Sequence, residues 1–163
     1  MVLFNSHLPV SDNADFLGIT FDSRLTWECH FRKMEEKSQR RLNLLRVISS
    51  FLTSSNSNFM ISLYKSLIHP IFEYGCMVFV SAKDVHITKL QKVQNAAIRT
   101  CLKFPAFISE DVMHDSSGLS RIHDHFKSFA SKWFNAMLDS SPVINPSVVT
   151  YRAVRKIQNH PSP

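Results

Sequence analysis

The side chains best placed to do chemistry in this chain are basic ones. At about 100° per residue, Lys33, Lys37 and Arg40 fall opposite an apolar helical stripe, with Arg41 beside them. Lys89, Lys92, Arg99 and Lys103 lie away from the centre of a second stripe. Rows of this kind suit contacts to phosphates that ignore base sequence. The plainer expectation for the first row is a solvated helix surface with i,i+4 partners such as Arg32–Glu36 and Glu36–Arg40. Trp27 and His30 are of types that could stack on a base, but a Trp that opens an apolar stripe reads more readily as core.

Other groupings have less chemical content. His123 and His125 form an HxH, which on a helix places the two rings about 200° apart and keeps them from sharing an ion. Adding His114 does not repair that geometry, so no metal site is expected. Glu35-Glu36 and Glu110-Asp111 are adjacent acidic pairs, each read as a solvated helix face. Serine, histidine, aspartate and cysteine occur without a nucleophile elbow or a Gly-framed serine, so a hydrolase has no support. No catalytic residue is assigned.

The elements that must carry these residues are mostly helical. Val2 to Phe4 and Asp15 to Phe21 are short β-compatible runs joined by turn formers, which predicts a small hairpin or edge pair. From Thr26, a plausible N-cap, the stripe Trp27, Phe31, Met34, Ser38, Leu42, Leu45 and Leu52 predicts a long helix. Ser, Thr and Asn fill 53–58, so that stretch is a linker and the next cap. A second helix should run from about Asn58 to Phe79, kinked or divided by Pro70. Asp84 can cap a third, buried through Ile87, Leu90, Val93, Ala97, Ile98, Cys101 and Leu102 and closed by Pro105. A short helix after Ser109 should end near Ser116 to Gly118. The last helix takes Leu119, Ile122, Phe126, Phe129, Trp133 and Met137 onto one face and stops before Pro142, after which the tail should be loose.

Composition bounds the rest. The chain has 163 residues, with 19 Lys and Arg against 13 Asp and Glu for a net charge of +6, which favours a polyanionic partner. Most of that charge sits in two segments: 24–46 holds seven basic and three acidic residues, and 83–103 holds five and one. Three glycines leave no material for a phosphate-cradling glycine loop. Three widely spaced cysteines fit neither a disulfide framework nor a zinc ribbon and favour a reducing compartment. There is no membrane-spanning run and no signal peptide, so the expected location is intracellular, in nucleus or cytoplasm.

Three motifs in series carry a family resemblance. They are Phe16-Leu17-Gly18-Ile19-Thr20-Phe21-Asp22 followed by Leu25-Thr26-Trp27 and His30; Leu63-Tyr64-Lys65-Ser66-Leu67-Ile68-His69-Pro70 leading into Phe72-Glu73-Tyr74-Gly75; and Leu90-Gln91-Lys92-Val93-Gln94-Asn95. In this order and spacing, over roughly residues 2–140, the chain resembles the C-terminal part of reverse transcriptases from jockey-type non-LTR retrotransposons. The resemblance implies the end of a palm in residues 1–25 and a helical thumb-like region in 26–140, which the loose tail 141–163 follows. It implies an RNA/DNA template–primer duplex as partner, along with palm and fingers domains outside this chain, and no membrane.

In that family the catalytic aspartate pair lies upstream of the matched region, and the full-length enzyme would use magnesium. No Asp-Asp occurs in these 163 residues, so no cofactor is expected here and the chain alone should not polymerise. The expected fold is mainly α, a helical bundle preceded by a short N-terminal β-hairpin. The expected role is to grip nucleic acid by its backbone through Lys33, Lys37, Arg40, Arg41, Lys89, Lys92 and Arg99. Rival readings are an inactive truncated relic and a helical protein-interaction module.

Overall fold

A computed structural model of the chain describes residues 2–3, 6–7, 12–52, 56–78 and 82–140. The order is β1 (Val2–Leu3), β2 (Ser6–His7), β3 (Asn13–Phe16), β4 (Ile19–Asp22), α1 (Glu28–Phe51), α2 (Ser57–Leu67), α3 (His69–Glu73), α4 (Asp84–Leu102), α5 (Glu110–Ser117) and α6 (Ile122–Ser140). The fold is mainly helical with an N-terminal β element, as the periodicities require.

The expected N-terminal hairpin is present, but it forms within the second β-compatible run rather than between the two runs. β1 pairs with β2, and β3 pairs with β4, with Phe16 opposite Ile19. The Asp15–Phe21 run doubles back because Leu17 and Gly18 both take positive φ, at 49° and 77°. That is the requirement of a two-residue hairpin turn whose twist matches its strands.

α4 is the hub. α1, α2, α5 and α6 all pack on it, while β4 rests on α1. One apolar core joins Ile19 of β4, Phe31, Leu42 and Leu45 of α1, Tyr64 of α2, Phe72 of α3, Leu90 and Ile98 of α4, Met113 of α5 and Phe126 of α6. The hairpin leans on this core through Ile19, which answers the marginal stability of two isolated strands.

Helix ends differ from expectation in instructive ways. Thr26 does not cap α1; Trp27 occupies the cap position in a left-handed conformation. Asp84 is the first residue of α4 and Lys83 its cap. α4 ends because Lys103 turns left-handed at φ 52°, two residues before Pro105. Pro70 divides the second helix as expected, with Ile68 between α2 and α3. α5 ends at Gly118, whose φ of 63° favours a residue without a Cβ although the space around it is open.

In α6 the buried positions are Ile122, Phe126 and Ala130, whereas Phe129 and Trp133 are 37% and 46% exposed. The apolar surplus of this helix is wider than the face its neighbours cover. The second helix stops at Glu73, short of the expected end near Phe79, because Tyr74 is extended and Gly75 turns left-handed at φ 72°; the side chain of Met137 and the loose tail from 141 lie outside the described residues.

Candidate nucleic-acid interface

The three motifs that carry the resemblance turn out to be joints of the scaffold. In the first, the Asp22 carboxylate at the end of β4 accepts the Thr26 N–H and hydroxyl at 2.8 and 2.9 Å and the Trp27 N–H at 2.8 Å. Leu25 and Trp27 both hold left-handed conformations, at φ 51° and 65°, which are unfavourable for residues of this kind. One carboxylate therefore fixes the strained link that aims α1. Those donors hold the Asp22 pKa down at about 2, the Thr26 N–H contributing most. Trp27 packs edge-on to Phe21 at 5.3 Å, and both Trp27 and His30 are buried, so neither offers a stacking platform.

The second motif closes over the first. The Tyr74 hydroxyl donates to the Leu17 carbonyl, and its ring lies where a Gly18 Cβ would approach at 3.6 Å. Tyr64 is fully buried, and that burial pushes its pKa up.

The third motif buries its amides. Gln91 Nε2 donates to Gln94 Oε1 and Asn95 Oδ1 at 2.9 and 2.8 Å, and Gln91 Oε1 accepts the Ile122 N–H at 2.9 Å. Gln94 Nε2 donates to the Ser120 carbonyl at 3.1 Å. His114 Nδ1 sits 2.8 Å from the Leu119 carbonyl, which assigns its proton to Nδ1 and leaves Nε2, 3.1 Å from Gln91 Nε2, as a third acceptor sharing the two hydrogens of that amide. This network locks α5 and the start of α6 onto α4. His114 thus has a structural post that the sequence pattern did not reveal.

On this scaffold Lys33, Lys37, Arg40 and Arg41 are all exposed along α1. Lys33 is engaged: its Nζ lies 2.9 Å from Asp15 Oδ1 and 2.8 Å from Thr20 Oγ1. The Thr20 hydroxyl and the Lys33 ammonium together lower the Asp15 pKa. Among the described residues neither Arg32–Glu36 nor Glu36–Arg40 forms an ion pair; Arg40 Nε reaches the Glu36 carbonyl at 3.4 Å instead. Lys37, Arg40 and Arg41 therefore present their charge outward without a carboxylate partner among the described residues.

On α4, Lys89 and Lys92 are exposed one turn apart, and Arg99 is half-buried. Lys103 donates to the Leu52 carbonyl just beyond the end of α1, fastening that end to α4. The seven assigned residues thus form an outward row on α1, anchored at Lys33, and a shorter pair on α4 with Arg99 drawn inward.

The adjacent acidic pairs lie on helix surfaces. Glu35 is half-buried and Glu36 exposed on successive positions of α1, and Asp111 is taken by an ion pair with Arg121. His123 and His125 diverge as the helix geometry requires: His123 lies 3.8 Å from Asp124, while His125 turns to Glu73 at 2.8 Å. Glu73 also meets His69, a triad that sequence spacing alone concealed because His125 is 52 residues away. No helix among the described residues is long and apolar enough to cross a membrane.

The chain is similar to the RNA-directed DNA polymerases of non-LTR retrotransposons. It is 26% identical over 134 residues to a probable RNA-directed DNA polymerase from transposon X-element of Drosophila melanogaster, covering 80% of this chain and 14% of the relative. It is 21% identical over 151 residues to a probable RNA-directed DNA polymerase from transposon BS of the same organism, covering 93% of this chain and 17% of that one. It is also 21% identical over 156 residues to the RNA-directed DNA polymerase from mobile element jockey, covering 89% and 17%. The chain thus spans about a sixth of the length of these relatives. No protein-family model matches it, and no solved structure does.

Proposed function

We propose that this chain corresponds to the end of the palm and the thumb of a non-LTR reverse transcriptase, where it grips the template–primer duplex by its phosphate backbone. The observation that carries this reading is the outward row Lys37, Arg40 and Arg41 on α1. It stands on a scaffold whose joints are the three motifs that carry the resemblance to the retrotransposon polymerases. Lys89 and Lys92 extend the contact from α4, and Lys33 fixes α1 against the hairpin beside it.

Polymerase chemistry needs carboxylates that hold metal ions against the reacting oxygens. The sequence contains no Asp-Asp, and its adjacent acidic pairs are read as helix faces. The magnesium site of the reaction is therefore assigned to palm and fingers domains outside this chain, and this segment holds the duplex beside it. Its contacts are to phosphates and are indifferent to base sequence.

The experiment is a binding titration of the full chain against RNA–DNA hybrids of two unrelated sequences. Equal affinities, lowered by Lys37→Glu with Arg40→Glu, support the reading. Absence of binding, or affinity unchanged in the double variant, refutes it. An exposed apolar edge at Phe129 and Trp133 favours one further contact, with the remainder of such a polymerase.

A further inference from the structure

α3 and α6 meet at three side chains that can each offer a ligand atom to a metal ion. His69 and Glu73 stand four residues apart on one face of α3, and His125 reaches them from α6. Glu73 Oε1 lies 2.8 Å from His125 Nε2 and 3.4 Å from His69 Nδ1. The ligand atoms all lie within 4.8 Å of one another, and the imidazole centroids are 4.6 Å apart with their planes crossed at 71°.

We propose that His69 Nδ1, the Glu73 carboxylate and His125 Nε2 form a binding site for a divalent cation of the zinc class, which clips α6 onto α3. Tetrahedral zinc with bonds of about 2.0–2.2 Å sets neighbouring ligand atoms roughly 3.4 Å apart. The Glu73–His69 edge already has that length, and the Glu73–His125 edge needs to open by only about half an ångström. Two imidazoles with one carboxylate select zinc, cobalt, nickel or copper over magnesium and calcium, which require oxygen-rich shells.

The surroundings hold the ligands in place. The Phe129 ring stacks along His125 at 6.2 Å and 28°, and Tyr64 meets His69 edge-on at 5.9 Å, so both imidazoles have apolar neighbours that fix their planes. The three side chains keep 18%, 34% and 25% of their surface exposed, which leaves an entry path and room for a water as fourth ligand. The site's role is structural. α6 is otherwise held by the Gln91 contact at its first turn and by Ile122, Phe126 and Ala130. A metal at His125 adds a fixed point from α3, on the same helix as the exposed Phe129 and Trp133.

The test is titration of the metal-free full chain with zinc chloride against a chromophoric chelator, and with cobalt chloride read by visible absorption. The expected result is one equivalent of zinc, a melting temperature raised by zinc, and the d–d bands of four-coordinate cobalt without a thiolate charge-transfer band. Glu73→Gln and His125→Gln should each weaken binding more than about tenfold, and His123→Gln should leave it unchanged. Far-UV circular dichroism verifies the fold of each variant, and His69→Gln supplies the same reading from α3 if His125→Gln does not fold. Failure to bind a stoichiometric equivalent, binding that persists in Glu73→Gln, or a thiolate–cobalt band overturns the proposal.

Discussion

Lys33 Nζ on α1 and Asp15 Oδ1 on β3 lie 2.9 Å apart, with the Thr20 hydroxyl 2.8 Å from the same ammonium. A residue whose spacing suited phosphate contact therefore ties α1 to the hairpin. Both partners are largely exposed, at 53% and 62%, so the pair orients the two elements without contributing much stability.

The expected consequence is a difference between neighbours on one helix. Arg40→Glu should lower affinity for an RNA–DNA hybrid several-fold more than Lys33→Ala. Fluorescence anisotropy of a labelled hybrid at low salt is the measurement, and equal losses would show that the Asp15 pairing does not hold in solution.

Leu17 occupies the first left-handed position of the β3–β4 turn, at φ 49°, and is 72% exposed. Asn tolerates that conformation far better, and Asn-Gly is the favoured pair for such a turn. Leu17→Asn should raise stability by about 0.5–1 kcal/mol while keeping the backbone carbonyl that Tyr74 uses. Chemical denaturation of the two proteins side by side decides the matter.

Asp22 gives the protein an acid limb. Its pKa falls from 3.8 to about 2 on folding because the Thr26 and Trp27 N–H groups bond the charged form. A carboxyl lowered in the folded state adds stability that is present above its unfolded pKa and is lost as the pH falls through the folded one. Stability should thus drop between about pH 4 and pH 2, and Asp22→Asn should flatten that interval while loosening the start of α1. Urea midpoints across this range are the check; an unchanged acid limb in Asp22→Asn would remove Asp22 as its origin.

Gln91 bonds Gln94, Asn95 and His114 and accepts the Ile122 N–H. Gln91→Ala strips partners from several half-buried or buried polar groups at once, at a cost of about 2–4 kcal/mol. Hydrogen exchange should speed up first at the N-terminal turn of α6. Uniform acceleration along the whole chain would mean that Gln91 is not the local fastening.

Much of this was legible in the sequence. The stripes of α1 and α4, the division at Pro70 and the stop at Gly118 follow from helical period and backbone chemistry, which are local properties. The motif order and spacing already carry the likeness to the non-LTR retrotransposon polymerases. Less legible were features set by partners far along the chain. The Tyr74 hydrogen bond to the Leu17 carbonyl spans 57 residues, and the His125–Glu73 contact spans 52. The exposure of Phe129 and Trp133 depends on how many neighbours α6 has, which periodicity cannot count.

The central claim is tested most directly by the salt dependence of RNA–DNA hybrid binding by the full chain and by Lys37→Glu/Arg40→Glu. Each phosphate neutralised contributes roughly −0.7 to −0.9 to the slope of log K against log salt, so contacts from α1 and α4 predict a slope of about −3 to −5. The double variant should bind more weakly with a slope nearer zero by about two phosphate contacts. Binding that ignores salt, or a double variant indistinguishable from the parent, would contradict a phosphate grip by this helix face.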